Sequence, residues 1–355
     1  MRKLSLSIMS LATLLAAAGC SPITKSSTAR QYDIYVAGDQ RPKSRKNLPV
    51  IKVWKNGESL YNNGPDGTDG LTDCDANINS IFVSDGDVYV AGNENRNGQS
   101  PGAAVVWKNG VPLYDHESNG SKSLMPADRL SSVAEEVVVS GDDVYVMGRN
   151  KVKHDSGERF NGTIISVWKN GQLLYDIEPS KEDKKAGMRS LLGFSMFVSG
   201  DEIYIAGDKR KTDIFDAIKG FANVWKNGKP LYHNGPGGAE GLTEIGNYNI
   251  APAIFVAGGD VYAAGGVWRK RRQVAMVWKN GKSLYHNGIH GEEGLSDSTV
   301  NAFVHSIFVS GDDVYAAGEC EYEKDKPIAM VWKNGVPLYE HRNGRAVAIF
   351  VVPRN

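Results

Sequence analysis

The chain has 355 residues, enough to bury a large core as one or two domains. Its 41 Lys and Arg balance 41 Asp and Glu, so no basic excess points to nucleic acid or an anionic membrane surface. Forty glycines, with few apolar residues at helical spacing, indicate many short strands joined by tight turns.

The first element is a targeting segment, residues 1–20. Arg2 and Lys3 precede an apolar run from Leu4 to Ala18, and small residues lead into Cys20 in "AAAGC". The run is too short to span a membrane. It resembles the lipobox of bacterial lipoproteins, with Ala17 where Leu is usual, which implies cleavage before Cys20 and a lipid on that residue. A plain secretory peptide cut at Ala18 or Gly19 is the alternative. Ser21 rather than Asp follows the cysteine, which among such lipoproteins implies the outer membrane. Residues 21–31, "SPITKSSTARQ", read as a polar tether.

From residue 32 onwards the chain repeats itself. "VWKNG" occurs at 53–57 and returns five times, placing Trp at 54, 107, 168, 225, 278 and 332. "IFVSDGDVYVAG" (81–92) and its relatives at 137–148, 196–207, 254–265 and 307–318 precede most of them, and "LY" follows each. Each unit therefore offers four short strands. "SGDD" and "KNG" supply hairpin turns, Asn-Gly providing the positive φ values such turns need.

Four strands every fifty-odd residues specify a β-propeller, each sheet covered by its neighbours. The repeated Trp then fills the wedge between adjacent sheets. The segment begins in mid-unit with "YDIYVAG" (32–38) and ends with "AVAIFVV" (346–352), an innermost strand lacking its partners. The expectation is an all-β, six-bladed propeller over 32–355, four antiparallel strands per blade, closed by 346–352 beside the first strands. The repeat resembles the Trp-Lys-Asn-Gly repeat lipoproteins of Bacteroidetes-type bacteria, through "IFVSGDDVYVAG" and "VWKNGxPLY" over about 32–355. The resemblance implies a propeller in the cell envelope and implies no activity. In such bacteria acidic residues after the lipid cysteine accompany surface export; "SPITKSS" lacks them, so the expected address is the outer membrane, facing the periplasm.

Length variation gathers at the second-to-third-strand loops and at the connections between units, so binding is expected on that face. The candidate patch there is Trp268, Arg269, Lys270, Arg271 and Arg272, since aromatic and Arg residues are common interface anchors. Trp268, Tyr248 and Phe215 are the aromatic candidates for a glycan. Cys74 and Cys320 fall on the same face, and an exported protein allows them to pair. Asp73 to Asn79 starts like a calcium loop, but Ile78 stands where Gly is needed and no Glu closes it. His233, His286 and His341 follow the outermost strands as rim positions. Aligned innermost strands place Asn79, Glu135, Phe194, Pro252, His305 and Val347 at equivalent points near the channel mouth. A Glu135–His305 acid/base pair is conceivable there, but nucleophile-elbow, Walker, zinc-protease and paired Cys-x-x-Cys motifs are missing. The reading is a non-enzymatic envelope lipoprotein without cofactor or metal. Its propeller would be a platform for an unknown envelope protein or glycan, touching the membrane only through its N-terminal lipid and binding no nucleic acid. A carbohydrate- or small-ligand-binding propeller is the alternative, with an enzyme at the channel mouth behind it.

Overall fold

A computed structural model describes residues 35–40, 50–56, 58–95, 102–114, 124, 129–152, 162–185, 187–211, 220–234, 238, 240–242, 249–269, 272–296, 299–323, 326–342, 345–349 and 351. The expected signal peptide, Cys20 and the tether lie outside them, as do Phe215, Tyr248, Lys270 and Arg271.

Strands dominate. The first repeat supplies β1 (Tyr35–Gln40), β2 (Val50–Lys55) and β3 (Glu58–Ser59). The second supplies β4 (Asp75–Ser84), β5 (Asp87–Asn95), β6 (Ala103–Lys108) and β7 (Val111–Tyr114). The third gives β8 (Arg129–Ser140), β9 (Asp143–Val152), β10 (Gly162–Lys169) and β11 (Gln172–Ile177), followed by the helical turn α1 (Lys181–Lys185). The fourth gives β12 (Met188–Ser199), β13 (Glu202–Lys211), β14 (Gly220–Lys226) and β15 (Lys229–Pro230). The fifth gives β16 (Asn249–Ala257), β17 (Asp260–Arg269), β18 (Arg272–Lys279) and β19 (Lys282–Ser283). The last gives β20 (Asn301–Ser310), β21 (Asp313–Glu323), β22 (Lys326–Lys333) and β23 (Val336–Arg342). Within each repeat, sequential strands pair antiparallel, innermost to outermost. The all-β propeller arrangement is as expected.

The blade count is not. The described strands form five sheets, and four of these carry four or more strands, giving four blades rather than six. Two physical causes account for the difference. The third and fourth repeats merge into one eight-stranded sheet, because Thr163 of β10 pairs in parallel with Ser190 of β12. The first repeat stays three-stranded, because the expected closing segment 346–352 forms no strand among its described residues. Ala346 N instead donates to Gly318 O at 3.0 Å and Ile349 N to Ser306 Oγ at 3.2 Å, which holds this segment along the last sheet.

The recurring residues have recurring jobs. Asn56, Asn109, Asn170, Asn227, Asn280 and Asn334 all sit at φ of 48° to 54°, the left-handed conformation that Asn tolerates. Five of their side chains reach the neighbouring hairpin: Asn109 Oδ1 accepts from Val88 N at 2.9 Å while its amide donates to Asp87 at 2.7 Å. The adjacent Lys108 reaches the same Asp87 at 2.7 Å and lies 5.3 Å from the Tyr89 ring centroid. Lys169–Asp143, Lys226–Glu202, Lys279–Asp260 and Lys333–Asp313 repeat the ion pair at 2.5–2.8 Å. Lys and Asn of "VWKNG" thus staple the outer hairpin to the inner one.

Trp is mortar between repeats, as expected. Trp107, Trp168, Trp225, Trp278 and Trp332 are at most 2% exposed. Each packs on the preceding repeat: Trp107 with Ile51, Val53 and Leu71, and Trp332 with Ala264, Ala275 and Val277. Trp54 has no preceding repeat and is only half-buried. Tyr of "LY" reaches forward instead, Tyr61 lying where a Cβ on Gly110 would meet its ring at 2.6 Å, and Tyr285 covering Gly335 in the same way.

Candidate functional site

A shared backbone irregularity positions the site. In β4, β8, β12, β16 and β20 the register slips at the same place, between Ile78 and Ser80, Ala134 and Glu136, Gly193 and Ser195, Ile250 and Ala253, and Val304 and Ser306. Asn79, Glu135, Phe194, Pro252 (with Ala251) and His305 are therefore the extra residues of β-bulges. A bulge breaks the in-out alternation and re-aims a side chain. It also throws the preceding carbonyl toward the second strand, where only glycine leaves room. A Cβ on Gly92, Gly207, Gly265 or Gly318 would lie 1.9–2.0 Å from the carbonyl oxygen of Asn77, Leu192, Ile250 or Phe303. That close approach explains the glycine of "VYVAG".

In the third, fourth and last repeats the residue after the corresponding glycine is charged and backs the bulge. Arg149 Nη2 holds Glu135 Oε1 at 2.9 Å. Burial pushes the Glu135 carboxyl up, with the Arg149 charge opposing it. In the fourth repeat Asp208 occupies this place; its Oδ2 accepts from Arg210 Nε at 2.7 Å, and the Arg210 guanidinium carbon lies 5.9 Å from the Phe194 ring centroid. Asp208 is fully buried, its Oδ1 has no hydrogen-bond partner, and burial outweighs Arg210 to raise its pKa to about 6. In the last repeat Glu319 lies 3.6 Å from His305 Nε2 and 2.5 Å from Arg345 Nε, while the His305 and Phe303 rings meet edge-on at 4.9 Å. Asn79 is used structurally, its amide donating to Ala134 O at 2.9 Å. The result is a set of carboxylate, guanidinium, imidazole and phenyl groups at the bulge level of the innermost strands and the strands beside them.

The aligned innermost positions of the sequence thus coincide with the bulges, except Val347, which lies in the irregular C-terminal segment. Arg149, Asp208, Arg210, Glu319 and Arg345 were not anticipated. The signal that could have found the first four was variation at or near the residue after an otherwise constant Ala-Gly or Met-Gly.

The expected surface patch is only partly available. Trp268 is 39% exposed and Arg272 is exposed, but Arg269 is drawn to the connection that follows its own repeat: Nη1 donates to Glu293 O at 2.5 Å and Nη2 lies 3.4 Å from Glu293 Oε2. Lys270 and Arg271 lie outside the described residues. The Cys74–Cys320 bridge does not form. Cys320 is packed into the apolar core of the last repeat, and the Cys74 thiol turns to Asp73 Oδ1 at 3.4 Å. In the calcium-like run Asp75 Oδ2 accepts from Asn95 at 2.9 Å. Among the described residues no group of three or more His, Cys, Asp or Glu is placed to hold a metal. His233 and His286 stand exposed where the chain leaves the blades.

No family model and no curated protein sequence matches the chain. Solved structures do. The exo-1,5-α-L-arabinanase from a bovine ruminal metagenomic library is 11% identical at a TM-score of 0.37, over 74% of this chain and 95% of its own. A glycosyl hydrolase from Bacteroides ovatus is 10% identical at a TM-score of 0.32, over 87% and 97%. Drosophila Semaphorin 1a, extracellular domains 1-2, is 10% identical at 0.37, over 84% and 75%. The presence of glycoside hydrolases among these neighbours corrects the expectation that the chain is no enzyme, which is not carried further. At such identities and TM-scores the likenesses transfer no activity.

Proposed function

We propose that the chain is a ligand-binding propeller whose ligand, a carbohydrate or another small polar molecule, is held at the bulges of the innermost strands. The observation that carries this reading is the bulge recurring in five consecutive repeats, each time projecting a different side chain from an otherwise uniform scaffold. Ligand sites are concave places where a few convergent polar groups meet apolar ones. Glu135, Arg149, Phe194, Arg210, His305 and Glu319 have that composition. A calorimetric titration with a panel of saccharides and small polar metabolites tests it. A ligand whose binding is lost in Glu135→Gln and His305→Ala, and kept in Trp268→Ala, supports the mouth; one that ignores both mouth variants refutes it.

Exposed Trp268 beside Arg272 favours a second use, docking of an envelope protein on the loop face, since such residues anchor interfaces. Crosslinking in cells followed by purification compares the native chain with Trp268→Ala; equal capture removes this use. The lipobox-like "AAAGC" supports a lipid-anchored envelope address for the same molecule.

A further inference from the structure

Phe194 differs from Phe82, Phe197 and Phe255 of the innermost strands, and unlike Phe303 it is not fully buried. Phe197 and Phe255 pack against core clusters and stack on one another at 5.3 Å, and Phe82 packs against another cluster. Phe194 joins none of the clusters formed by the described residues and is half-buried. A bulge places it outside the strand's alternation, so no apolar layer receives its ring. Beside it stands Arg210, itself pinned by buried Asp208 at 2.7 Å. The phenyl and guanidinium groups form a braced pair at the mouth, with the ring outside the core clusters.

The charges around it restrict what could be bound. Arg149 is paired with Glu135, Arg210 with Asp208 and Arg345 with Glu319, all at 2.5–2.9 Å. An ionic ligand competing for Arg210 would leave the fully buried Asp208 carboxylate uncompensated, which is costly, whereas Arg149 and Arg345 are more open to water and already neutralised by Glu135 and Glu319. A hydroxyl group asks for no such exchange. It donates to a carboxylate edge and accepts from a guanidinium edge while the pair stays intact. An aromatic face additionally suits an apolar C–H surface.

We propose that this mouth takes a neutral sugar ring, its C–H face stacked on Phe194 and its hydroxyls read by Arg210 and by the Glu135–Arg149 pair. The inference rests on the mouth being the ligand site and adds the ligand's class and the residue that selects it. Calorimetry with neutral pentose and hexose oligosaccharides, set against the corresponding uronic acids, tests it on the full chain. The expected result is binding of a neutral saccharide, weakened roughly tenfold or more by Phe194→Ala and retained by Phe194→Trp. Circular dichroism and the thermal midpoint should barely change in either variant, because the ring belongs to no core cluster. Uronic acids binding more tightly than their neutral counterparts, or affinity indifferent to Phe194→Ala but lost in Glu135→Gln, would overturn this inference while leaving the mouth as the site. A saccharide indifferent to both variants, or no saccharide bound, would overturn it as well, and indifference to both would also end the mouth reading.

Discussion

Asp208→Asn should stabilise the protein at neutral pH. Asp208 is fully buried, its Oδ2 accepts from Arg210, and its Oδ1 accepts no hydrogen bond. Burial raises the carboxyl from 3.8 to about 6, so in the native state it holds a proton that the unfolded chain has already released. Its contribution to stability is therefore present in full below about pH 4, is lost as pH rises to about 6, and is absent at pH 7. At about 1.4 kcal/mol per tenfold change in proton affinity, ionising Asp208 costs the native state about 3 kcal/mol. Asparagine keeps the shape and can still accept from Arg210, but carries no charge to desolvate. The assay is urea unfolding of both proteins between pH 3.5 and 7.5. Differences between the two are compared, because Asp87, Asp143, Glu202, Asp260 and Asp313 are held below the usual carboxylate range by their Lys partners and change stability in the opposite sense. The variant should be more stable by about 1–3 kcal/mol at pH 7, with the gap closing below pH 4. A variant that is less stable at pH 7, or a gap independent of pH, would refute the reasoning.

Three further outcomes follow from the packing and a fourth from the N-terminal sequence. Gly207→Ala should cost upwards of about 2 kcal/mol or abolish folding, whereas Gly38→Ala, whose Cβ meets nothing nearer than a Trp54 ring atom at 3.5 Å, should leave the urea midpoint almost unchanged. Trp168→Ala should lose about 3–5 kcal/mol, and Trp54→Ala much less, with acrylamide quenching reaching Trp54 and Trp268 before the other five indoles. Asn280→Ala should cost about 1–2 kcal/mol, since it forfeits the bond to Val261 N and puts Ala at φ 50°; Lys279→Met, which removes an exposed ion pair and a contact 5.2 Å from the Tyr262 ring centroid, should change the thermal midpoint little. Metabolic labelling with a radioactive fatty acid should mark the native chain and not Cys20→Ser, and equal labelling would place the lipid elsewhere.

Strands and turns were legible because their causes are local. Asn-Gly after Trp-Lys demands a positive-φ turn wherever it occurs, and all six Asn adopt it. The buried Trp was legible because a large ring repeated at one place in a stacked fold has few other uses. Blade count and closure were not, because they depend on contacts between repeats. One pairing of Thr163 with Ser190 merges two units, and the Ala346 and Ile349 amides tie the last segment to the sheet before it. Neither interaction has a residue signature. The bulges were hidden for a related reason: Asn, Glu, Phe, Pro and His share no propensity, so the feature they have in common lies in the backbone. Its trace in the sequence is the constant glycine on the neighbouring strand.

That glycine also separates scaffold from site. A bulge costs a strand one ladder position, and here five strands bear that cost at one level while the partner strand gives up its side chain to make room. If the purpose were packing alone, the bulged residues would be as uniform as the Trp, Tyr and Lys around them, because they meet nearly identical neighbours. They instead differ in every one of the five strands, and two of them are backed by charges, Arg149 and Glu319, that also differ from unit to unit. Uniform backbone with divergent side chains is what a binding surface requires, since rigidity comes from the shared part and selectivity from the part that varies.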